Sequence, residues 1–233
     1  MAKRPVFIPT GKSKPLFDSE QIDFQWNPGF APIQKKKNIL ALHKAAEAKH
    51  LFSLLEVSTK SEKPLGQRLS AFNLKIETEI GEISIEAAYQ GSKVFEMGGP
   101  FTDIYRMDSR SAKRDLRLKE SGNLIQFKFF ERNWPLNPPN AFYDWLYISA
   151  LQPHQGFIKN ELFKYQGFTD IEFNPSKSIN CQARACALLV SLLKLNSLDG
   201  ALRSQKDFIE MISSGALKQK KIEEYTQGEI PFN

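Results

Sequence analysis

The sequence predicts an α+β fold: a mainly helical single domain with a few short strands and an N-terminal extended arm. Three observations predict it. Helical apolar spacing recurs in several segments, as at Ile39, Leu42, His43 and Ala46. Strand-like alternation is short and local, as from Phe72 to Ile80. No regular strand–helix–strand order runs through the chain, so a doubly wound sheet is not expected. With 233 residues, 41% of them apolar and 18 of them phenylalanine, the chain can bury a substantial core.

Residues 1–33 hold prolines at 5, 9, 15, 28 and 32 and read as the arm, with strand pieces at Pro5–Ile8 and Ile22–Trp26. Phe24, Trp26 and Phe30 would pack it onto the body. QKKKNILALHKAAEAKH, 34–50, is a helix whose lysines face water or phosphate. Residues 1–50 thus form an arm and helix packed on a body of 51–233.

Within the body, Leu51–Ser58 reads as a strand, STKSEKPLGQR as a polar turn, LSAFNLKIETEI as a strand and GEIS as a turn. SIEAAYQGSKVF, 84–95, reads as a helix with Ser84 as its cap and Glu86 in its first turn. Gly98, Gly99 and Pro100 end it. A helix starts near Ser109, NLIQFKFF is a strand, and NWPLNPPN is a loop. AFYDWLYISAL and NELFKYQ are helices, and FTDIEFN is a short strand. CQARACALLVSLLKL is a buried-face helix with Asn180 as a cap. The tail from 199 holds a helix around KDFIEMI and a lysine-rich end.

A net charge of +6 suits a phosphate-bearing partner. Cys181 and Cys186 are too few for a disulfide framework, which points to a reducing cytosol. His43, His50 and His154 do not cluster with them, so no metal site is expected. The apolar stretch in MAKRPVFIPT is too short for a signal peptide, and ALLVSLL is too short to span a bilayer. GKS at 11–13 lacks the upstream glycine of a phosphate-binding loop, which would fall at Val6.

On a helix, Glu86, Gln90 and Lys93 fall at i, i+4 and i+7, one stripe about 10 Å long at about 1.5 Å per residue. Such a stripe is either a solvated face or a row of groups flanking a ligand. Ala87, Ala88 and Gly91 would let something approach closely.

LSAFNL at 69–74, ISIEAAYQGSKVF at 83–95 and SRSAKRDLR at 109–117 resemble, in order and spacing, three motifs of the NADAR family. Glu86, Gln90, Lys93 and Phe95 fall on its Glu, Gln, Lys and Phe, with one extra residue before the Phe. Ala112, Lys113 and Arg114 fall on its AKr, and VSTKSEKPLGQ resembles its lead-in turn. The resemblance covers roughly residues 52–195 and implies a NADAR-type domain. The departures are Ala71 for the usual Asn, Ala87 for a His, and no tryptophan in FTDIEFNPSKSINCQAR. Asp170 or Glu172 would take the acidic role near that end. The arm, the QKKK helix and FYDWLY resemble the subgroup found beside DarT-type DNA ADP-ribosyltransferase toxins.

That subgroup implies an antitoxin that hydrolyses ADP-ribose from the guanine amino group of DNA, with no cofactor and ADP-ribose as product. Glu86, Lys93 and Asp170 are the catalytic candidates. In one route Glu86 activates water, with Asp170 or Lys93 as acid. In the other Lys93 attacks the anomeric carbon, or its ring-opened aldehyde-level form, to give a Schiff base, Glu86 shuttles protons and water releases ADP-ribose. Attack requires a neutral amine, hence a lowered pKa, with Tyr89, Phe95 and Phe72 as the apolar wall. Ligand-binding candidates are Ser70, Phe72, Asn73, Gln90, Trp134 and Arg184. Arg184, Lys113 and Arg114 could bind the pyrophosphate, and Phe72, Trp134 or Phe168 could stack on a base. The target base must be single-stranded or leave the stack, with lysines 35–37 and the basic tail tracking the backbone. The partners implied are ADP-ribosylated DNA and the cognate toxin, with no membrane. The rival readings are a same-fold N-glycosidase for a riboflavin-pathway-like small molecule and a non-catalytic antitoxin that binds its toxin.

Overall fold

The computed structural model describes residues 1–29, 31–176 and 178–215, and over them the chain is α+β. The first 24 residues form a long hairpin rather than an arm with short pieces. Strand β1 (Ala2–Pro9) pairs antiparallel with β2 (Phe17–Phe24) along its whole length. Prolines 5 and 9 are tolerated because β1 meets its other neighbour only at Phe7. Helix α1 (Pro32–Ala46) starts on a proline at its first position, where no hydrogen bond is lost. It lays Ile39, Leu42 and Ala46 against Val6, Ile22 and Phe24 of the hairpin. Phe30 and the lysine-rich end lie outside the described residues.

Strand β3 (Leu54–Glu56) is shorter than the Leu51–Ser58 expected. After α2 (Pro64–Arg68), residues 70–74 turn, with Asn73 N and Leu74 N both donating to Ser70 O. The expected strand from LSAFNL onward therefore contracts to β4 (Lys75–Thr78). GEIS is not a turn but its partner, β5 (Gly81–Ser84), and Gly81 at φ +99° closes the hairpin.

The stretch 84–95 is not one helix. Helix α3 (Ile85–Gly91) stops where Gly91 meets the Tyr105 ring; a Cβ there would lie 2.6 Å from it. The chain then extends as β6 (Lys93–Phe95), so Lys93 leaves the stripe of Glu86 and Gln90. Asp108 caps α4 (Ser109–Arg114) through Arg110 N and Ser111 N, and α5 (Arg117–Glu120) follows. Strands β7 (Leu124–Phe129) and β8 (Arg132–Trp134) complete a sheet of order β6-β7-β8, so the expected loop begins one strand later.

Helix α6 (Ala141–Leu151) is buried on nearly every side. Helix α7 (Gln155–Leu162) lies earlier than expected, and β9 (Gly167–Thr169) enters the first sheet in the order β2-β1-β9-β3. Helix α8 (Gln182–Lys194) is capped at Cys181 with no side-chain bond, so Asn180 is not its cap. The short α9 (Leu198–Leu202) and α10 (Gln205–Gly215) close the described chain. No helix among the described residues is long and apolar enough to cross a membrane.

Candidate active site

Three segments far apart in sequence are laced together around α3. Ser84 Oγ accepts Ala87 N at 3.2 Å, the N-cap predicted from sequence. Ser109 Oγ lies 2.9 Å from Ser84 Oγ and 2.8 Å from Phe72 O, which fixes α4 against the LSAF turn. Glu86 N donates to Ala71 O at 3.0 Å, and Ala71 N donates to Gln182 Oε1 at 2.7 Å. The turn, α3, α4 and the start of α8 thus share one backbone frame.

Inside that frame Glu86 and Gln90 are buried and face each other one turn apart. Gln90 Nε2 donates to Glu86 Oε1 at 2.8 Å, and Lys113 Nζ stands 4.0 Å from the same oxygen. Gln90 Oε1 is buried with no hydrogen-bond partner among the described residues, so it remains an acceptor for a ligand N–H or O–H. Lys93, although on β6, turns its amine to the same side, 5.1 Å from the centre of the Tyr89 ring. Burial pulls its pKa down to about 8; Glu86 opposes the shift and Lys113 adds to it. Lys113 also lies over the half-buried Phe72 ring at 5.3 Å.

Asp170 approaches from the end of β9. Its Oδ1 accepts Glu172 N at 3.0 Å and Phe173 N at 3.2 Å. Burial, then the charge of Glu56, holds its carboxyl well above the usual range. Tyr143, edge-on to Tyr89 at 5.5 Å, is buried, and the charges of Glu86 and Asp170 both act on its hydroxyl. The Tyr89 hydroxyl bonds the Asn180 side chain. Among the described residues no group of three or more His, Cys, Asp or Glu could hold a metal ion.

Other expected residues are placed differently. Trp134 is 1% exposed and packs against Phe142, Trp145 and Phe208 in the aromatic core, where it cannot stack on a base. Phe168 is fully buried. Arg184 donates to the buried Asp144 carboxylate and lies over Phe17 at 5.7 Å. Ser70 is buried and builds the turn, while Asn73 is exposed, its amide donating to Gln67 O. Glu172 is exposed beside Thr59. Two open grooves of about 400 and 640 Å³ contain none of Glu86, Lys93 and Asp170.

Sequence reasoning missed Glu56, Tyr143 and Asp144. Each is a polar residue inside an apolar or aromatic run, SLLEVS or FYDWLY, and that is the signal that could have found them.

A comparison with curated proteins returns no match. The family model for the DarT1-associated NADAR antitoxin matches residues 2–222, nearly the whole chain. A chain that carries Glu86, Gln90, Lys93 and Lys113 in one cluster, and matches that model over this span, belongs to the NADAR antitoxins associated with DarT1.

Proposed function

We propose that the protein is an ADP-ribosylglycohydrolase that removes ADP-ribose from the guanine amino group of DNA and so reverses the product of a toxin. The observation that carries this reading is a buried cluster: Lys93 turns inward over the Tyr89 ring at 5.1 Å, Tyr89 lies on the helix where Gln90 holds Glu86 at 2.8 Å, and burial draws the amine down to about 8. A buried amine that loses its proton near neutral pH is suited to attack an anomeric carbon.

The bond to break joins the ribose anomeric carbon to the guanine nitrogen. Lys93 Nζ bonds to the carbon as that bond breaks. The electron pair goes to the guanine nitrogen, which takes a proton from Asp170. Nζ passes one proton to Glu86, and the glycosylamine so formed exchanges with its ring-opened Schiff base: the nitrogen pair forms the C=N bond, the ring C–O bond breaks and the remaining Nζ proton goes to the ring oxygen, which gives borohydride a bond to reduce. Water then adds to the carbon, Nζ leaves with the proton held by Glu86, and the proton from water restores Asp170. The net change is one water molecule, its hydrogen on guanine and its hydroxyl on the ribose. Gln90 Oε1 supports the reading as an acceptor for a substrate hydroxyl or N–H. Lys113 beside Glu86 is a donor for the pyrophosphate. The base must be single-stranded or flipped to reach so buried a site. Lys35 and Arg4, 5.7 and 5.4 Å from the centre of the Trp26 ring, supply charge for the backbone.

The test is incubation with guanine-ADP-ribosylated single-stranded DNA. ADP-ribose should be released by the wild type and not by Glu86→Gln. Borohydride should trap ADP-ribose on the protein, and Lys93→Ala should abolish the trapping. No release by the wild type refutes the reading. Release without trapping replaces Lys93 attack by water activated at Glu86.

A further inference from the structure

We propose that Glu56 is a positioning residue for Asp170: it clasps the chain on both sides of that residue and keeps the pair's proton on Asp170. The inference rests on the reading of Asp170 as the acid that protonates the departing guanine nitrogen.

Glu56 ends β3 and stands opposite Thr169 in the parallel pairing with β9. It is only 3% exposed. Its Oε2 accepts Thr169 Oγ1 at 2.7 Å, and its Oε1 accepts Ile171 N at 2.9 Å and Ser58 Oγ at 2.6 Å. Thr169 and Ile171 flank Asp170, so one carboxylate grips the residue on either side of the proposed acid. Val57 N adds a bond to Thr169 O at 2.8 Å.

The same geometry places the proton. Three donors pointing at two oxygens, the Ile171 N–H and the Ser58 and Thr169 hydroxyls, favour an ionised carboxylate and oppose the upward push of burial on Glu56. Asp170 accepts two backbone N–H groups, both at Oδ1, and among the described residues Oδ2 accepts none. Two close carboxyls in a buried site do not both ionise, so the proton belongs on Asp170, at the oxygen left open for the substrate. The groups facing Asp170 are Glu56 from β3, Glu172 from its own loop, Arg4 from β1, Cys181 at the start of α8 and Cys186 within it, and Tyr143 and Tyr147 from α6. Burial and the two glutamates outweigh Arg4.

His43 supports the clasp from behind. Its Nε2 lies 2.8 Å from Thr169 Oγ1. Because the Thr169 hydroxyl donates to Glu56, it accepts from the ring, which sets the ring proton on Nε2. Burial pulls His43 down to about 4, with Lys63 adding to the shift, so the ring stays neutral.

The test is an infrared titration of the Asp170 carboxyl in the substrate-free protein, isolated as the difference from the matching Asp170→Asn protein. In Glu56→Gln the midpoint should fall by a unit or more, about tenfold in proton affinity. The rate of ADP-ribose release above the wild-type midpoint should fall with it, whereas a merely structural loss would lower the rate equally at every pH. If Glu56→Gln does not fold, Thr169→Val carries the test: it removes one donor from Glu56 and should move the midpoint the same way by less. An unmoved midpoint overturns the proposal. A lowered midpoint in a protein that releases no ADP-ribose upholds the clasp and refutes the hydrolase reading instead.

Discussion

Lys93 Nζ stands over the Tyr89 ring at 5.1 Å, although the two residues belong to different elements, one in helix α3 and the other in strand β6. The contact turns a basic side chain inward, where it competes with folding rather than serving it. The sign is fixed by the direction of the shift. Lys93 titrates near 8 in the folded protein, below the 10.5 of an ordinary lysine. The folded state therefore disfavours the cation, and stability rises as pH climbs from about 8 towards 10.5. At neutral pH the penalty is roughly 3 kcal/mol. Lys93→Met should thus raise the denaturant midpoint while abolishing release, a trade of activity for stability.

The same shift sets a rate profile. Attack needs the neutral amine, so the neutral fraction falls about tenfold for each pH unit below the Lys93 value. Initial rates should climb with pH on this limb up to about 8. Lys93→Arg, which stays charged at every accessible pH, should remove the limb together with the activity. A wild-type rate that ignores pH across this range would remove Lys93 from the attacking role.

How Lys93 is placed leads to Gly99. Gly99 sits at φ +88°, and a Cβ there would come within 2.3 Å of Lys93 O. Gly99→Ala should cost more than about 1 kcal/mol, since alanine resists that conformation and the neighbour is backbone. It should also reduce release by shifting β6. Thermal unfolding and initial rates measured together check both effects. Lost stability with an unchanged rate would show that this turn does not position the amine.

These placements show what the sequence could and could not carry. Glu86 and Gln90 were legible because four-residue spacing survives inside a single helix. Lys93 arrived at the same site for a different reason: the chain bends at Gly91 and the strand turns its side chain back. Periodicity cannot see such a bend, because it depends on Tyr105, which packs there from another segment. Trp134 was misplaced because ring composition does not say which aromatic fills the core. Glu56 and Asp144 stand out as acids inside apolar runs, but that signal marks burial without naming the partners that compensate it. Those partners, Thr169 and Arg184, lie 113 and 40 residues away. The hairpin at the N-terminus was hidden by its prolines, which are harmless where β1 lacks a second ladder.

His43 predicts an acid-side loss. Its folded value, about 4, lies below the ordinary 6.5, so the neutral ring stabilises the fold above about 6.5. That contribution is lost as pH falls towards 4, and it amounts to about 3 kcal/mol at full extent. His43→Gln keeps a donor for Thr169 but cannot titrate. Its denaturant midpoint should lack this slope while the wild type retains it.

Asp144 predicts the opposite slope across nearly the same window. Its carboxyl is fully buried, and burial lifts it to about 6 despite the hydrogen bond from Arg184. A raised carboxyl favours the protonated fold, so this contribution is present below about 3.8 and is lost as pH rises through about 6. Its size is also about 3 kcal/mol, so it should largely offset the slope from His43 in the wild type. Asp144→Asn should unmask a steep acid-side loss that Asp144→Asn combined with His43→Gln flattens again. Arg184→Met leaves the carboxyl buried without its cation and should destabilise by about 1–2 kcal/mol at pH 7, the cost of protonating a group that sits at about 6. Because the orphaned carboxyl then takes up a proton, that loss should shrink as pH falls below 6, and an unfolding series across pH checks it. A loss that stays constant with pH would mean that Asp144 does not titrate in the fold.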